Sequence, residues 1–176
     1  MGCIEFSGRY PDNLQDEINN YSIVAGVIAR QQEYDIIHAH DWLTMEAGIR
    51  AKELTGKPLI VHVHATEFDR SGELSGNPIV HEIEQTALLM ADRIFAVSGI
   101  TKSIIVHRYG IPADKVEVVY NGFDPEHFDD GYNYDEVTYS YLEALREEGY
   151  TVVATVTRFT VQKGLTHLMR AAAKVL

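Results

Sequence analysis

Short runs of apolar and β-branched residues alternate along the chain with longer stretches in which apolar residues recur every three or four positions. Such runs are typical of buried strands, and such stretches are typical of amphipathic helices. The runs predict strands over 35–39, 59–63, 93–97, 116–120 and 151–156. The periodic stretches predict helices over 43–54, 79–90, 100–109, 139–148 and 165–176. Because the strands lack alternating polar residues, they predict an α/β fold with a parallel sheet covered on both faces.

Capping and turn residues indicate where some of these elements begin and end. Asp12 is expected to cap a first helix, whose apolar face uses Ile18, Tyr21, Val24, Ala25 and Ile28. Gly56 ends the helix over 43–54, as glycine commonly does. A glycine- and charge-rich loop is expected over 66–77.

Acidic residues are concentrated between Asp124 and Glu148, where nine acids stand against one base. This segment carries −8 of the net charge of −11, which comes from 15 basic and 26 acidic residues. Its first part is aromatic, glycine-containing and aperiodic, as linkers are. We therefore expect a domain over 1–124, an acidic interdomain linker over 125–136 and the truncated start of a second domain over 137–176. A long surface loop within one domain is the alternative.

Composition and charge exclude several classes of protein. The chain has 176 residues, of which 45% are apolar, an ordinary globular composition. Its acidic balance argues against a nucleic-acid-binding or membrane-surface module. The single cysteine, Cys3, excludes a disulfide framework, and the longest apolar stretch, 21–29, is too short to cross a bilayer. We expect a cytoplasmic protein without a membrane span, and a fragment, because the last helix reaches Leu176 without a stop signal.

Polar residues follow each predicted strand, at the end where parallel sheets bind ligands. They are His38, His40, Asp41 and Trp42 at the first strand, His62 and His64 at the second, Ser98 at the third, Asn121 at the fourth, and Arg158 and Lys163 at the fifth. This repetition predicts a polar cleft along one edge of the sheet. Ser98 has a second interpretation, because a hydroxyl one residue before a helix commonly caps its first amides.

The two His-x-His pairs allow two interpretations. Residues i and i+2 of a strand share a face, so each pair could chelate a metal with Asp41, as in binuclear hydrolases. Alternatively, His38 and His62 pack in the sheet while His40 and His64 line the cleft. We favour the second interpretation, with no metal, because such metal sites need several converging carboxylates.

The segment over 158–164 places two cations in a strand-to-helix loop, with Gly164 before the helix. Helix amino termini attract phosphate, and Arg158 with Lys163 could neutralise a diphosphate leaving group without a metal. Two solvated surface charges are the alternative. The position of the loop after a strand favours the phosphate interpretation.

Four segments, 35–42, 95–98, 118–124 and 157–164, resemble in order the signatures of glycogen and starch synthases and their retaining GT-B glycosyltransferase relatives. The resemblance implies two facing Rossmann-like domains with the substrates in the cleft between them. The chain would hold the later half of the N-terminal, acceptor-side domain and the start of the C-terminal, nucleotide-sugar-binding domain.

The resemblance also implies substrates and residue roles. Arg158 and Lys163 would bind the diphosphate of the donor, ADP- or UDP-glucose. His64, beside the transferred sugar, and Asp41, on the sugar and acceptor side, would be the catalytic residues. The acceptor would be a growing α-glucan, and neither a metal nor a cofactor is expected.

The chain departs from this family pattern in three places. No lysine- and glycine-rich loop precedes Asp35, the glutamate-rich motif of the second domain would lie beyond Leu176, and Thr157 stands where many relatives have glycine or serine. The chain is therefore expected not to turn over donor without the remainder of the enzyme. Alternatives are a sucrose- or trehalose-forming enzyme, a mannosyltransferase, a metal-dependent hydrolase using the His-x-His pairs, and a non-catalytic sugar- or nucleotide-binding module.

Overall fold

The structure is a computed structural model that describes residues 13–72, 75–125 and 135–175. The chain divides into two compact units, Met1–Asn121 and Gly122–Leu176. Asp12, the expected cap of the first helix, lies outside the described residues. Most of the expected linker over 125–136 lies outside them as well, so the linker stays a prediction.

The first unit alternates helices and strands, as the hydrophobic pattern predicts. Its elements are α1 (Leu14–Gln31), β1 (Ile37–His40), α2 (Trp42–Thr55), β2 (Leu59–Val63), α3 (Glu67–Ser71), α4 (Pro78–Met90), β3 (Arg93–Ala96), α5 (Gly99–Arg108), a 3₁₀ turn (Ala113–Lys115) and β4 (Val116–Val118). The second unit contains α6 (Glu136–Glu147), a 3₁₀ turn (Val161–Lys163) and α7 (Leu165–Val175).

The four strands form one parallel sheet in the order β1-β2-β3-β4. The register pairs Ala39 with Val61, Val61 with Ile94, and Ile94 with Val116, which are all buried and therefore share one face. On this face they form the core with side chains of the covering helices, including Met45, Leu88 and Ile105. The predicted α/β fold with a parallel sheet is confirmed.

The expectation that helices cover both faces of the sheet is wrong for the described residues. The strand positions that alternate with the core are His38, His40, Ile60, His62, Arg93, Phe95 and Glu117, and none of them is fully buried. We call this side the open face. Each crossover leads to the next strand in the same direction, and crossovers between parallel strands are nearly always right-handed, which puts their helices on one side of the sheet.

Two segments differ from the sequence-based expectation. Residues 151–156 form no strand, although the run is apolar. A strand needs a neighbour that pairs its backbone groups, and the described part of the second unit contains none. The expected loop over 66–77 contains α3, which begins with a reciprocal capping box between Thr66 and Asp69.

The helices of the second unit bury little apolar surface. None of the described residues of α6 or α7 is buried. Large apolar side chains such as Val156, Phe159 and Val161 are at least nine-tenths exposed. No helix in the described ranges combines the length and the apolar character that crossing a membrane requires.

Candidate functional site

Asp41, directly after β1, has a backbone conformation that residues other than glycine rarely adopt. Its φ is 57° and its ψ is 172°, and among the described residues it is the only non-glycine residue with a positive φ. Such conformations cost roughly 1–3 kcal/mol and persist only where surrounding contacts enforce them. Here the Asp41 N–H donates to the His62 carbonyl at 3.0 Å, and the Thr44 N–H donates to the Asp41 carbonyl at 3.1 Å.

The Asp41 carboxylate connects the end of β1 to the loop that follows β2. Its Oδ1 accepts a hydrogen bond from the His64 N–H at 2.7 Å and a longer one from the Ala65 N–H at 3.4 Å. Although Asp41 stands at the N-cap of α2, its side chain makes no capping hydrogen bond there. Asp41 therefore positions the backbone of His64.

Four imidazole rings form one stacked cluster on the open face. Ring centroids are 4.3 Å apart for His38 and His40, and 4.5 Å apart for His62 and His64. Between the strands, His40 Nδ1 and His64 Nε2 lie 3.0 Å apart, within hydrogen-bonding distance. The expectation that His38 and His62 point into sheet packing while His40 and His64 line the cleft is wrong in dividing the four rings. Because residues i and i+2 share a face, all four rings lie together, and Phe95 packs edge-on against two of them.

Partial burial and neighbouring imidazoles favour the uncharged form of His38 and His62. Desolvation is the main cause that lowers the pKa of each ring below its ordinary value of 6.5, and His40 and His64 lower it further. His62 has a second unusual property, since both of its ring nitrogens are buried without a hydrogen-bond partner among the described residues.

A buried ionic network supports the loop after β2, and the sequence analysis does not anticipate it. Glu84 of α4 is 1% exposed, pairs with Arg70 of α3 and accepts a hydrogen bond from the Tyr109 hydroxyl. Arg70 also donates to the Ala65 carbonyl at 2.7 Å, so the network reaches the residue after His64. The signal that points to it in the sequence is an acidic residue on the apolar face of a predicted helix.

Three other predicted site residues have different environments. The Ser98 Oγ accepts a hydrogen bond from the Thr101 N–H at 3.0 Å and caps α5, in agreement with the capping interpretation. Trp42 is partly buried and packs against the core of the first unit. Asn121 is exposed at the end of that unit. Contact of these residues with a ligand stays a prediction.

Arg158 and Lys163 belong to the second unit, in the segment that leads into α7. Both are exposed, and neither forms an ion pair with any residue in the described ranges. The Lys163 N–H donates to the Thr160 carbonyl at 3.1 Å, and Gly164, with a φ of 65°, begins the turn into the helix. A cavity of about 280 Å³ adjoins this loop. Neither cation lines this cavity, but two exposed cations in one short loop suit an anionic ligand.

Known proteins match most of the chain. Residues 9–127 match the family model Glycosyltransferase Family 4. The chain is 31% identical to an uncharacterized glycosyltransferase of Methanocaldococcus jannaschii, over 82% of this chain and 37% of that protein. It is 30% identical to a D-inositol 3-phosphate glycosyltransferase of Kribbella flavida, over 81% of this chain and 34% of that protein.

A glycogen synthase of Mycobacterium tuberculosis gives a shorter match. It is 31% identical over 51% of this chain and 22% of that protein. The chain spans about a third of the length of the Methanocaldococcus and Kribbella relatives.

Proposed function

This chain belongs to glycosyltransferase family 4, and from that membership we propose that the whole protein transfers glucose from ADP- or UDP-glucose to a growing α-glucan. The anomeric configuration of the glucose is retained in this reaction. The first unit contributes the acceptor side, and the second contributes the binding site for the nucleotide-sugar donor.

The observation that carries the donor part of the proposal is that Arg158 and Lys163 are both exposed and form no ion pair within the described part of the chain. As the bond from the sugar to the diphosphate breaks, negative charge grows on the departing phosphate oxygens. Cations that contact those oxygens stabilise the transition state more than the ground state, and so they lower the barrier. Because the two side chains supply this positive charge, the proposed reaction uses neither a resident metal nor a cofactor.

His64 is the proposed catalytic residue on the sugar side. Its backbone is held by the Asp41 carboxylate, and its ring lies against His40. Because both its backbone and its ring are held, His64 can keep a sugar hydroxyl in one orientation beside the reacting carbon. Asp41 was expected to be catalytic, but the role that we propose for it is to position His64. Its Oδ1 accepts hydrogen bonds from the backbone amides of His64 and Ala65.

A small phosphorylated acceptor is a second candidate. The observation that favours it is the extent of similarity, since the D-inositol 3-phosphate glycosyltransferase matches 81% of this chain and the glycogen synthase 51%. Offering the whole protein glycogen and D-inositol 3-phosphate in parallel, with labelled donor, separates the two. Label in the polymer alone supports the glucan acceptor, and label in a small anionic product alone overturns it.

Alanine substitutions in the whole protein test the donor assignment. Arg158→Ala and Lys163→Ala should each lower kcat about 100-fold or more, the scale of removing one group that stabilises developing charge. Arg170→Ala and Lys174→Ala remove exposed cations of α7 outside the loop and serve as matched controls with nearly unchanged turnover. A near-normal rate in either loop variant would overturn the assignment.

A further inference from the structure

Three histidines on two neighbouring strands bring ring nitrogens close enough to share one ion. One nitrogen from each of His38, His40 and His62 lies within 4.8 Å of the others. The register places His40 directly opposite His62, so strand pairing itself brings the rings together. In a tetrahedral zinc site with Zn–N bonds of about 2.0–2.1 Å, the ligand nitrogens lie closer to one another than 4.8 Å. The side chains of His38 and His40 are exposed, so they can rotate and bring their nitrogens closer to that of His62.

His62 supplies a second, independent observation. Both of its ring nitrogens are buried, and neither has a hydrogen-bond partner among the described residues. Buried polar atoms without a partner are rare in folded proteins, because each loses its hydration without compensation. A metal ion bound at one ring nitrogen would supply a partner that the described protein atoms do not.

We propose that His38, His40 and His62 form a binding site for a transition-metal ion of the zinc class. Three protein ligands leave a fourth coordination position open to water. All three donors are imidazoles, which suit zinc, copper and nickel, whereas magnesium, calcium and manganese prefer carboxylate and carbonyl oxygens. The neighbouring carboxylate of Asp41 is engaged by the amides of His64 and Ala65, so the site does not suit these harder cations.

This metal site does not depend on the proposed glycosyl transfer. His40 Nδ1 lies 3.0 Å from His64 Nε2. A metal ion that binds the His40 ring therefore competes with the hydrogen bond between these two histidines. Binding is therefore expected to change the environment of His64 even though His64 is not one of the three ligands.

Calorimetric titration of the 176-residue chain with zinc sulfate tests the site directly. We expect one ion to bind per chain. His38→Phe and His62→Phe keep an aromatic ring in the stack but remove a ligand, so each should weaken binding at least about tenfold. Cys3→Ser and His107→Phe, which remove other residues able to bind zinc, are the controls and should bind as the wild type does. Magnesium in large excess should not displace the zinc.

X-ray absorption at the zinc edge of the wild-type chain with zinc bound tests the ligands directly. This measurement stays informative even if the phenylalanine variants fail to fold. The expected spectrum has imidazole nitrogens at about 2.0–2.1 Å and no sulfur near 2.3 Å. Absence of one-to-one binding, a sulfur neighbour, or full zinc affinity in both phenylalanine variants would each overturn the proposal.

Discussion

The unfavourable backbone conformation of Asp41 is held by hydrogen bonds that its own side chain helps to make. Asp41→Ala removes the acceptor of the His64 amide and leaves an ordinary Cβ at a φ of 57°. We expect this variant to lose about 1–3 kcal/mol of the free energy of unfolding, the scale of losing a hydrogen bond to a charged group. Asp41→Asn keeps an oxygen acceptor and tolerates a positive φ, so it should lose less. Urea unfolding followed by circular dichroism measures both.

Asp41→Gly separates the contribution of backbone strain from that of the side-chain hydrogen bond. Glycine relieves the strain but supplies no acceptor for the His64 amide. Its stability should fall between those of the asparagine and alanine variants. If all three variants unfold at the wild-type urea concentration, the carboxylate does not hold the loop after β2.

Arg70 and Glu84 form an ion pair in which the two partners are unequally buried. The side chain of Arg70 is 26% exposed, whereas that of Glu84 is 2% exposed. Arg70→Met leaves a buried carboxylate without its counter-charge and should cost about 3–5 kcal/mol of stability. Glu84→Gln leaves a guanidinium that reaches water, so it should cost less, and the double variant should recover part of the Arg70→Met loss. Urea unfolding of the three variants checks this order, which a larger loss in Glu84→Gln would contradict.

Residue types that carry chemistry were predictable from the sequence, and the contacts between them were less so. Their positions after the first two strands predict that His40, Asp41 and His64 lie together, and the structure brings them into contact. The conformation of Asp41 and the pairing of Glu84 with Tyr109 depend on atoms more than twenty residues apart. No local pattern encodes such contacts.

At the scale of elements, the packing of α2 on the sheet depends on Gly48. A Cβ built on Gly48 would stand 2.9 Å from the Ala39 Cβ and 3.0 Å from Leu59 Cδ1, and the first of these is fixed to a strand. We expect Gly48→Ala to destabilise the chain by about 1–2 kcal/mol, because the overpacking exceeds the gain in helix propensity of about 1 kcal/mol. Thermal unfolding measures the change.

Gly99→Ala is the matched control for this substitution. Gly99 begins α5, and a Cβ there meets nothing within 4 Å. The same chemical change should therefore leave stability unchanged or raise it by up to about 1 kcal/mol. Equal effects at the two glycines would mean that close packing of α2 against β1 is not what selects glycine at Gly48.

Elements whose partners lie in the described part of the chain were predicted well, and the others were not. The four strands of the first unit occur where the apolar runs predict them, with ends shifted by up to two residues. The run over 151–156 is also apolar, but the described part of the second unit contains no strand with which its backbone groups could pair. Composition identifies a segment that is able to form a strand, and a neighbouring strand decides whether it does.

At the scale of the whole molecule, the order of the strands determines which face of the sheet is covered. The absence of alternation in the strands predicted two covered faces, but each crossover steps to the next neighbour in the same direction. Right-handed crossovers of that kind place their helices on one side. Strand order is a long-range property, so the hydrophobic pattern could not reveal the open face on which the four histidines stack.

The two units differ in buried apolar surface, and this difference predicts different stabilities. Leu59 and Val61 of β2 are fully buried, whereas no described residue of α6 or α7 is buried. Burial of apolar surface is the main favourable term in folding, and poorly buried segments open with little free energy. Amides of β2 should therefore exchange with solvent at least about 1,000-fold more slowly than in the unfolded chain, whereas those of α7 should be slowed less than about 100-fold.

Hydrogen exchange followed by mass spectrometry, with the same peptides in concentrated urea as the unfolded reference, measures both rates. Peptides from α5, which buries Ile105 in the core, are the internal control for a protected helix. If α7 exchanges as slowly as α5, the second unit must gain its stability from something other than burial of its own apolar side chains. Fast exchange confined to the second unit means that only the first unit has a cooperative core.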